Sequence, residues 1–322
     1  MKTLALAFLA SAAILAQQSD DLDVLHVQGN VYVIAGDGGN LVVQTGDLGV
    51  LVVDTGTGQK SDKVIAAIRK LSDKPIQYII NTHMHPDHMG GNQAIRKAGV
   101  TITGANVTGD INDAAAGAQI IAHQNVLNRV SAPSGKKALL PEYAWPTTTY
   151  LSGQKEIFFN EEPVTVIYQP NAHTDGDSLV MFRRSDVVAT GDIFVTTSYP
   201  YIDLENGGSI QGELDALNNI LDITIPKHDE EGGTYVIPGH GRICDEYDVL
   251  EYRDMVTIVR DRVQAAIKKG MTLDQVLKAG YTKDFDPRYN ARSGLGTSVN
   301  FVTSVYKSLT SPPAGQVNSA NK

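Results

Sequence analysis

The chain has 322 residues, 42% of them hydrophobic, with a formal charge of −9, enough for one large domain or two small ones at roughly 150 residues per domain. An acidic balance without a basic cluster argues against nucleic acid or an anionic membrane surface as partner. The single cysteine, Cys244, excludes an intrachain disulfide and leaves stability to the core and to any bound metal.

Residues 1–16, "MKTLALAFLASAAILA", place one lysine before an apolar run and small residues, the layout of a cleavable signal peptide. The run is too short for a lasting anchor, which needs about 20 apolar residues. Export to the periplasm or the medium is expected, with the charge becoming −10 once Lys2, the only charged residue of that segment, is removed.

Residues 24–54 alternate β-rich runs with glycine turns, "VLHVQ", "NVYVIAG", "NLVVQTG" and "VLVVDTG", and read as antiparallel strands. A helix fits 60–71, with Val64, Ile65, Ile68 and Leu71 on one face. "IQYII" is a strand, "GGNQAIRKAG" a short helix, and 101–103 a further strand. Residues 143–150, bracketed by Pro141 and holding Pro146, read as loop. "VTVIYQ", "SLVMFRR" and "VVATGD" read as strands, 212–223 as a helix, and "TYVIPGHG" as strand and loop. A long amphipathic helix follows over 245–268. Two more cover 272–278, with Thr272 as N-cap and Gly280 beyond its end, and 298–309. The tail 311–322 has no apolar period and is expected to be disordered.

Five of the eight histidines fall at strand ends beside glycine, aspartate or another histidine. In "NTHMHPDHMGG" His83 and His85, two apart on extended chain, project to one side, while Asp87 and His88 follow where the chain turns into a helix. That separates the four into two pairs suited to two metals. "NAHTDGDSLV" adds His173, "VVATGDIFV" adds Asp192 and "YVIPGHG" adds His240. Together they supply imidazole and carboxylate for two zinc ions, each with an open or water-filled position, although the same donors accept iron or manganese.

The order "HMHPDH", "HTDGDS", "TGD", "PGHG" resembles the metallo-β-lactamase superfamily, over residues 24–241. The resemblance implies an α/β fold, a four-layered αβ/βα sandwich of two similar halves. His83, His85 and His173 would hold the first metal, Asp87, His88 and His240 the second, and Asp192 would bridge them. Asp87 would also orient the attacking water, whose pKa two zinc ions lower from 15.7 towards about 7. The implied organisation is a catalytic domain over 17–244, a helical extension packed on it over 245–310, and the tail.

Asp54, at the end of "VVDTG", is expected to hold a ligand histidine, and Asp175 and Asp177 to shape the His173 turn, Asp177 with a possible second role in orienting a ligand. Tyr199 and Tyr201 are candidates for lining a cleft. Cys244 and His123 read as structural, His26 and His228 as surface or turn residues. The expected function is an exported class B β-lactamase-like hydrolase of a small molecule, acting on a β-lactam or similar cyclic amide. The alternatives are a lactonase, esterase or thioesterase of the same superfamily, and a metal-binding protein without catalysis. One gap counts against the lactamase reading: the best-known dizinc β-lactamases carry cysteine where this chain has Asp192, and a lysine where it has Val195.

Overall fold

The computed structural model describes residues 22–101, 117–131, 137–151, 153–228 and 232–310. The expected signal peptide, the tail and most of the strand expected at 101–103 lie outside them. In the first sheet β1 (Asp23–Gln28), β2 (Val31–Ala35), β3 (Leu41–Gly46), β4 (Gly49–Val53), β5 (Ile76–Ile80), β6 (Gln119–His123) and β7 (Thr148–Tyr150) lie side by side in chain order. The first four run antiparallel, and β4 to β7 parallel. The second sheet holds β8 (Gln154–Phe159), β9 (Glu162–Gln169), β10 (Asp177–Phe182), β11 (Val187–Ala189) and β12 (Tyr235–Ile237), antiparallel except for the β11–β12 pair.

Successive strand side chains point to opposite faces, and the apolar residues use both. In β4, Leu51 and Val53 enter the layer between the sheets, where they meet Val164, Val166, Val180 and Phe182. Val50 and Val52 face outward onto α1 (Ser61–Leu71) through Val64 and Ile68. Beyond α1 come α2 (Pro86–Met89), α3 (Asn92–Ala98) and α4 (Gln124–Ser131). The second sheet turns Leu179 and Val188 outward onto α5 (Ile210–Ile223) and α6 (Glu246–Lys268). The result is the four-layered αβ/βα sandwich, extended at its C-terminal end by α7 (Leu273–Ala279), α8 (Asp286–Tyr289) and α9 (Ser298–Thr310). Among the described residues no helix is long and apolar enough to cross a membrane.

Two strands depart from the sequence reading. The segment read as loop at 143–150 overlaps a 3₁₀ turn, Glu142–Ala144, and contains the edge strand β7, in which the β-branched run of threonines pairs with β6 despite the nearby proline. β8 was not anticipated because its alternation is weak at a sheet edge, where Phe158 is left exposed.

Tyr199 also departs from expectation, since it lines no cleft. It is fully buried, stacked on Phe301 with ring centroids 5.3 Å apart. Its hydroxyl lies 3.0 Å from the Thr282 carbonyl and 2.9 Å from Asp286 Oδ1, and its backbone N–H donates to Tyr289 O. A buried tyrosine needs a partner for its hydroxyl, and the helical extension supplies it. Tyr199 thereby fastens the extension to the segment that follows Asp192. Cys244 is a structural residue: burial pushes its thiol up to about 12, and it donates to Arg242 O. His123 is likewise structural, its ring stacked 3.7 Å from Tyr168 and its Nε2 on Leu151 O.

Phe301→Ala is expected to destabilise the protein by about 3–5 kcal/mol, as for other buried aromatic truncations. Tyr199→Phe, which removes only the hydroxyl, should cost about 1 kcal/mol. Denaturant midpoints of the two variants against the parent check both.

Candidate metal centre

Four junctions, all at one end of the sheets, carry the polar residues. β5 ends at Ile80 and delivers His83 and His85; His85 stays extended (φ −70°, ψ 147°) as the N-cap of α2, with Pro86 at the first helical position. Asp87 and His88 follow in that helix. The β9–β10 turn carries His173, a short 3₁₀ turn after β11 carries Asp192, and the loop after β12 carries His240. The chain thus gathers His83, His85, His173 and Asp192 into one group, and Asp87, His88 and His240 into another. Asp192 faces both: Oδ1 lies 3.1 Å from His88 Nε2 and 3.5 Å from His240 Nε2, and Oδ2 lies 3.9 Å from His173 Nε2.

The outer nitrogen of each of four imidazoles is fixed by a protein acceptor. His88 Nδ1 donates to Asp54 Oδ2 at 2.8 Å, and His85 Nε2 to Asp203 Oδ2 at 3.0 Å. His173 Nδ1 donates to Tyr201 O at 2.5 Å. Thr82 Oγ1 gives its proton to Asp54 Oδ2 and so accepts from His83 Nδ1 at 3.0 Å. Their inner nitrogens are then lone pairs when the rings are neutral. His173 Nε2 faces His85 Nδ1 at 2.9 Å, and His83 Nε2 is buried without a hydrogen-bond partner among the described residues. Two lone pairs face to face and a third left orphaned are costly in a low dielectric. A cation among them removes the cost, so the first group fits a metal, and the donors of Asp87, His88 and His240 lie close enough together to hold another.

Charge follows the same division. Burial pushes His83 well below its usual range, and His173 down to about 4. Burial acts the same way on His88, but the Asp192 and Asp54 carboxylates outweigh it and hold that imidazole well above its usual range. Burial also opposes the charge on His240, where the hydrogen bond it donates to Asp87 prevails and raises it. Asp192, despite burial, is held well below the carboxylate range by His88. Asp87 is lowered too, with the His240 hydrogen bond outweighing burial.

Asp54 stands against His88, with Thr82 N–H on its second oxygen, and adopts a left-handed backbone (φ 57°). Asp177 does not touch a ligand. It accepts from Thr174 N–H and the Thr174 hydroxyl and so shapes the turn beside His173, while Asp175 takes a 2.7 Å ion pair from Arg129. Tyr201 presents its ring over His85, with centroids 5.8 Å apart.

Two residues escaped the sequence reading. Asp203 lies in "YIDLENGG", where its role as cap of the 3₁₀ turn Leu204–Asn206 was the available signal. Asn40 donates to Pro238 O and Gly241 O, and its N–H to Gly239 O, clamping the His240 loop from 200 residues away in the chain. Two glycines permit the close packing. A Cβ at Gly39 would strike the His88 ring, and one at Gly239 would strike Asp192 Oδ1.

This fold and ligand arrangement define a metallohydrolase of the sandwich class. The sequence profile of the Metallo-beta-lactamase superfamily matches residues 25–240, and the chain belongs to that family. A double mutant of the sec-alkyl sulfatase PisA1, an enzyme of Pseudomonas sp., superposes with a TM-score of 0.69 at 14% identity, over 90% of this chain and 50% of that one. The metallo-beta-lactamase from Pontibacter korlensis gives 0.55 at 12% identity, over 74% of this chain and 99% of its own. The linear primary-alkylsulfatase of Pseudomonas sp. (strain ATCC 19151) is 54% identical over 41 residues, 12% of this chain and 8% of the relative. The chain therefore spans about half the length of the sulfatase structure. At these identities the structural likeness is one of fold. Residues 245–310 make up about a fifth of the chain, so a superposition over 90% of it takes in at least part of them.

Asp203→Asn should weaken metal binding at the first group and Asp54→Asn at the second, each by about 10- to 100-fold, as read by chelator competition with metal counting. Acidification should empty the second group first. His88 and His240, raised in pKa, hold protons that a metal must displace, while His83 and His173, lowered, are already neutral. Bound metal followed as pH falls below about 7 checks the order.

Proposed function

We propose that the protein is an exported, dinuclear zinc hydrolase that cleaves an ester-type bond of a small molecule, be it a lactone, carboxylic ester, thioester or sulfate ester. The observation that carries this reading is Asp192, whose two oxygens face the two ligand groups. A bridging carboxylate there, with Val195 in place of a lysine, resembles the thioesterase and lactonase branches more than the lactamases. The names of the similar proteins support the sulfate-ester member of the class at least as well as a lactam. Zinc is the metal favoured by a set rich in imidazole.

Bound metals would supply Lewis acidity and a water of lowered pKa. The chain's own residues do the rest. Asp87, hydrogen-bonded by His240 at 3.1 Å and held ionised by that contact, keeps a carboxylate partly exposed to the cavity above the ligands. Such a group accepts a proton from water and fixes its direction of approach. Tyr201 and Pro86 line the same cavity. All seven ligand positions carry competent donors, which favours catalysis over a protein that only binds metal. Hydrolysis of a β-lactam, and with it a part in antibiotic breakdown, is the second reading, favoured by the likeness of fold to the Pontibacter korlensis enzyme.

The zinc-loaded mature protein is to be assayed against a 4-nitrophenyl ester, a lactone, a thioester, an alkyl sulfate and a chromogenic cephalosporin, with metal counted in each preparation. Turnover of at least one ester-type substrate is expected, falling about 10²- to 10⁴-fold in Asp87→Asn. Cephalosporin turnover alone would move the protein to the lactamase reading.

A further inference from the structure

The cavity over the metal ligands, about 660 Å³ in volume, is not closed by the sandwich alone. His85, Asp87, Asp192 and His240 line it. Ala291, Ser293, Leu295 and Gly296, from the loop between α8 and α9 of the helical extension, line it as well. The loop is built rather than slack. Ala291 N–H donates to Gly296 O, Asn300 Nδ2 donates to Gly294 O, and Asn290 Oδ1 accepts from Ser298 N–H. Gly296 packs so tightly on Ser198 that a Cβ could not be placed there, and its carbonyl accepts from Tyr199 N–H.

Leu295 is held on this frame with 56% of its surface exposed, and it lines the same cavity as the candidate ligands. Val195 and Pro86 add apolar surface to the same space. An exposed leucine on a chain surface is ordinary. One carried by a loop whose neighbouring residues are tied by four hydrogen bonds, and lining the cavity of the candidate ligands, is a wall for whatever apolar group enters.

Resting on the ester reading above, we infer that Leu295 is a specificity-determining residue and that the 290–297 loop selects substrates with an apolar acyl or alkyl chain attached to the scissile ester. The polar end of such a molecule meets the ligand groups, and its chain lies along Leu295 and Val195. The extension is on this account part of the substrate site rather than only a cover for the second sheet.

Two homologous series, 4-nitrophenyl acyl esters and n-alkyl sulfates from about four to about ten carbons, are to be compared on the parent, Leu295→Ser and Leu139→Ser; each buried methylene should raise kcat/KM about two- to fourfold in the parent. Leu139 is equally exposed but lies away from the cavity, and its variant should keep the parental slope. In Leu295→Ser the dependence on chain length should flatten. Binding of n-alkanoates of the same lengths to the zinc-loaded proteins, followed by calorimetry, should show the same rise and the same loss without any turnover. A chain-length dependence that survives Leu295→Ser, or a parent without one, overturns the inference. If neither series is hydrolysed, the lactone and thioester assays decide the ester reading, and the alkanoate titrations alone decide the role of Leu295.

Discussion

Everything at the end of the sandwich follows from one electrostatic constraint: buried imidazoles whose outer nitrogens are committed to protein acceptors aim their remaining lone pairs at one another. Asp54, Asp203, the Tyr201 carbonyl and Thr82 make those commitments. With the rings fixed, the inner nitrogens converge with the Asp87 and Asp192 carboxylates in a space that only cations, or protons in their stead, can render favourable. The protein has placed its polar cost where a ligand relieves it, and the two sheets behind serve to hold the donors still.

Those donors come from both halves. His83, His85, Asp87 and His88 follow β5 in the first sheet, whereas His173, Asp192 and His240 come from turns of the second. Each ligand group therefore spans the inter-sheet layer, and the packing of Leu51 and Val53 on Val164 and Phe182 sets the distance between histidines more than 80 residues apart. Core packing at native density leaves little freedom in that distance.

The members of the two groups were legible in the sequence because each sits just beyond an apolar run, where chain direction changes and a polar side chain has no structural reason to cluster. The strands were legible from their period, with β7 and β8 lost because short edge strands carry little alternation. The partners of the ligands were harder to read. A backbone carbonyl such as that of Tyr201 leaves no mark in sequence, and Asp203 reaches His85 from 118 positions away. Tyr199 was misplaced for a related reason. An aromatic beside a metal loop reads as a cleft residue until the helices that bury it are seen, and the string "ARSGLG" over 291–296 has no period to announce that it returns over the site.

Gly39 and Gly239 carry no chemistry, yet they leave no room for a methyl group beside His88 and Asp192. A map of tolerated substitutions would accordingly draw the site wider than its reacting atoms, with a ring of forbidden positions on which selection has nothing to act except size. Novelty must then arise elsewhere. The loop between α8 and α9 borders the cavity through residues outside that ring, so substitutions in a handful of positions there would reshape the cavity while leaving the two groups of donors as they stand.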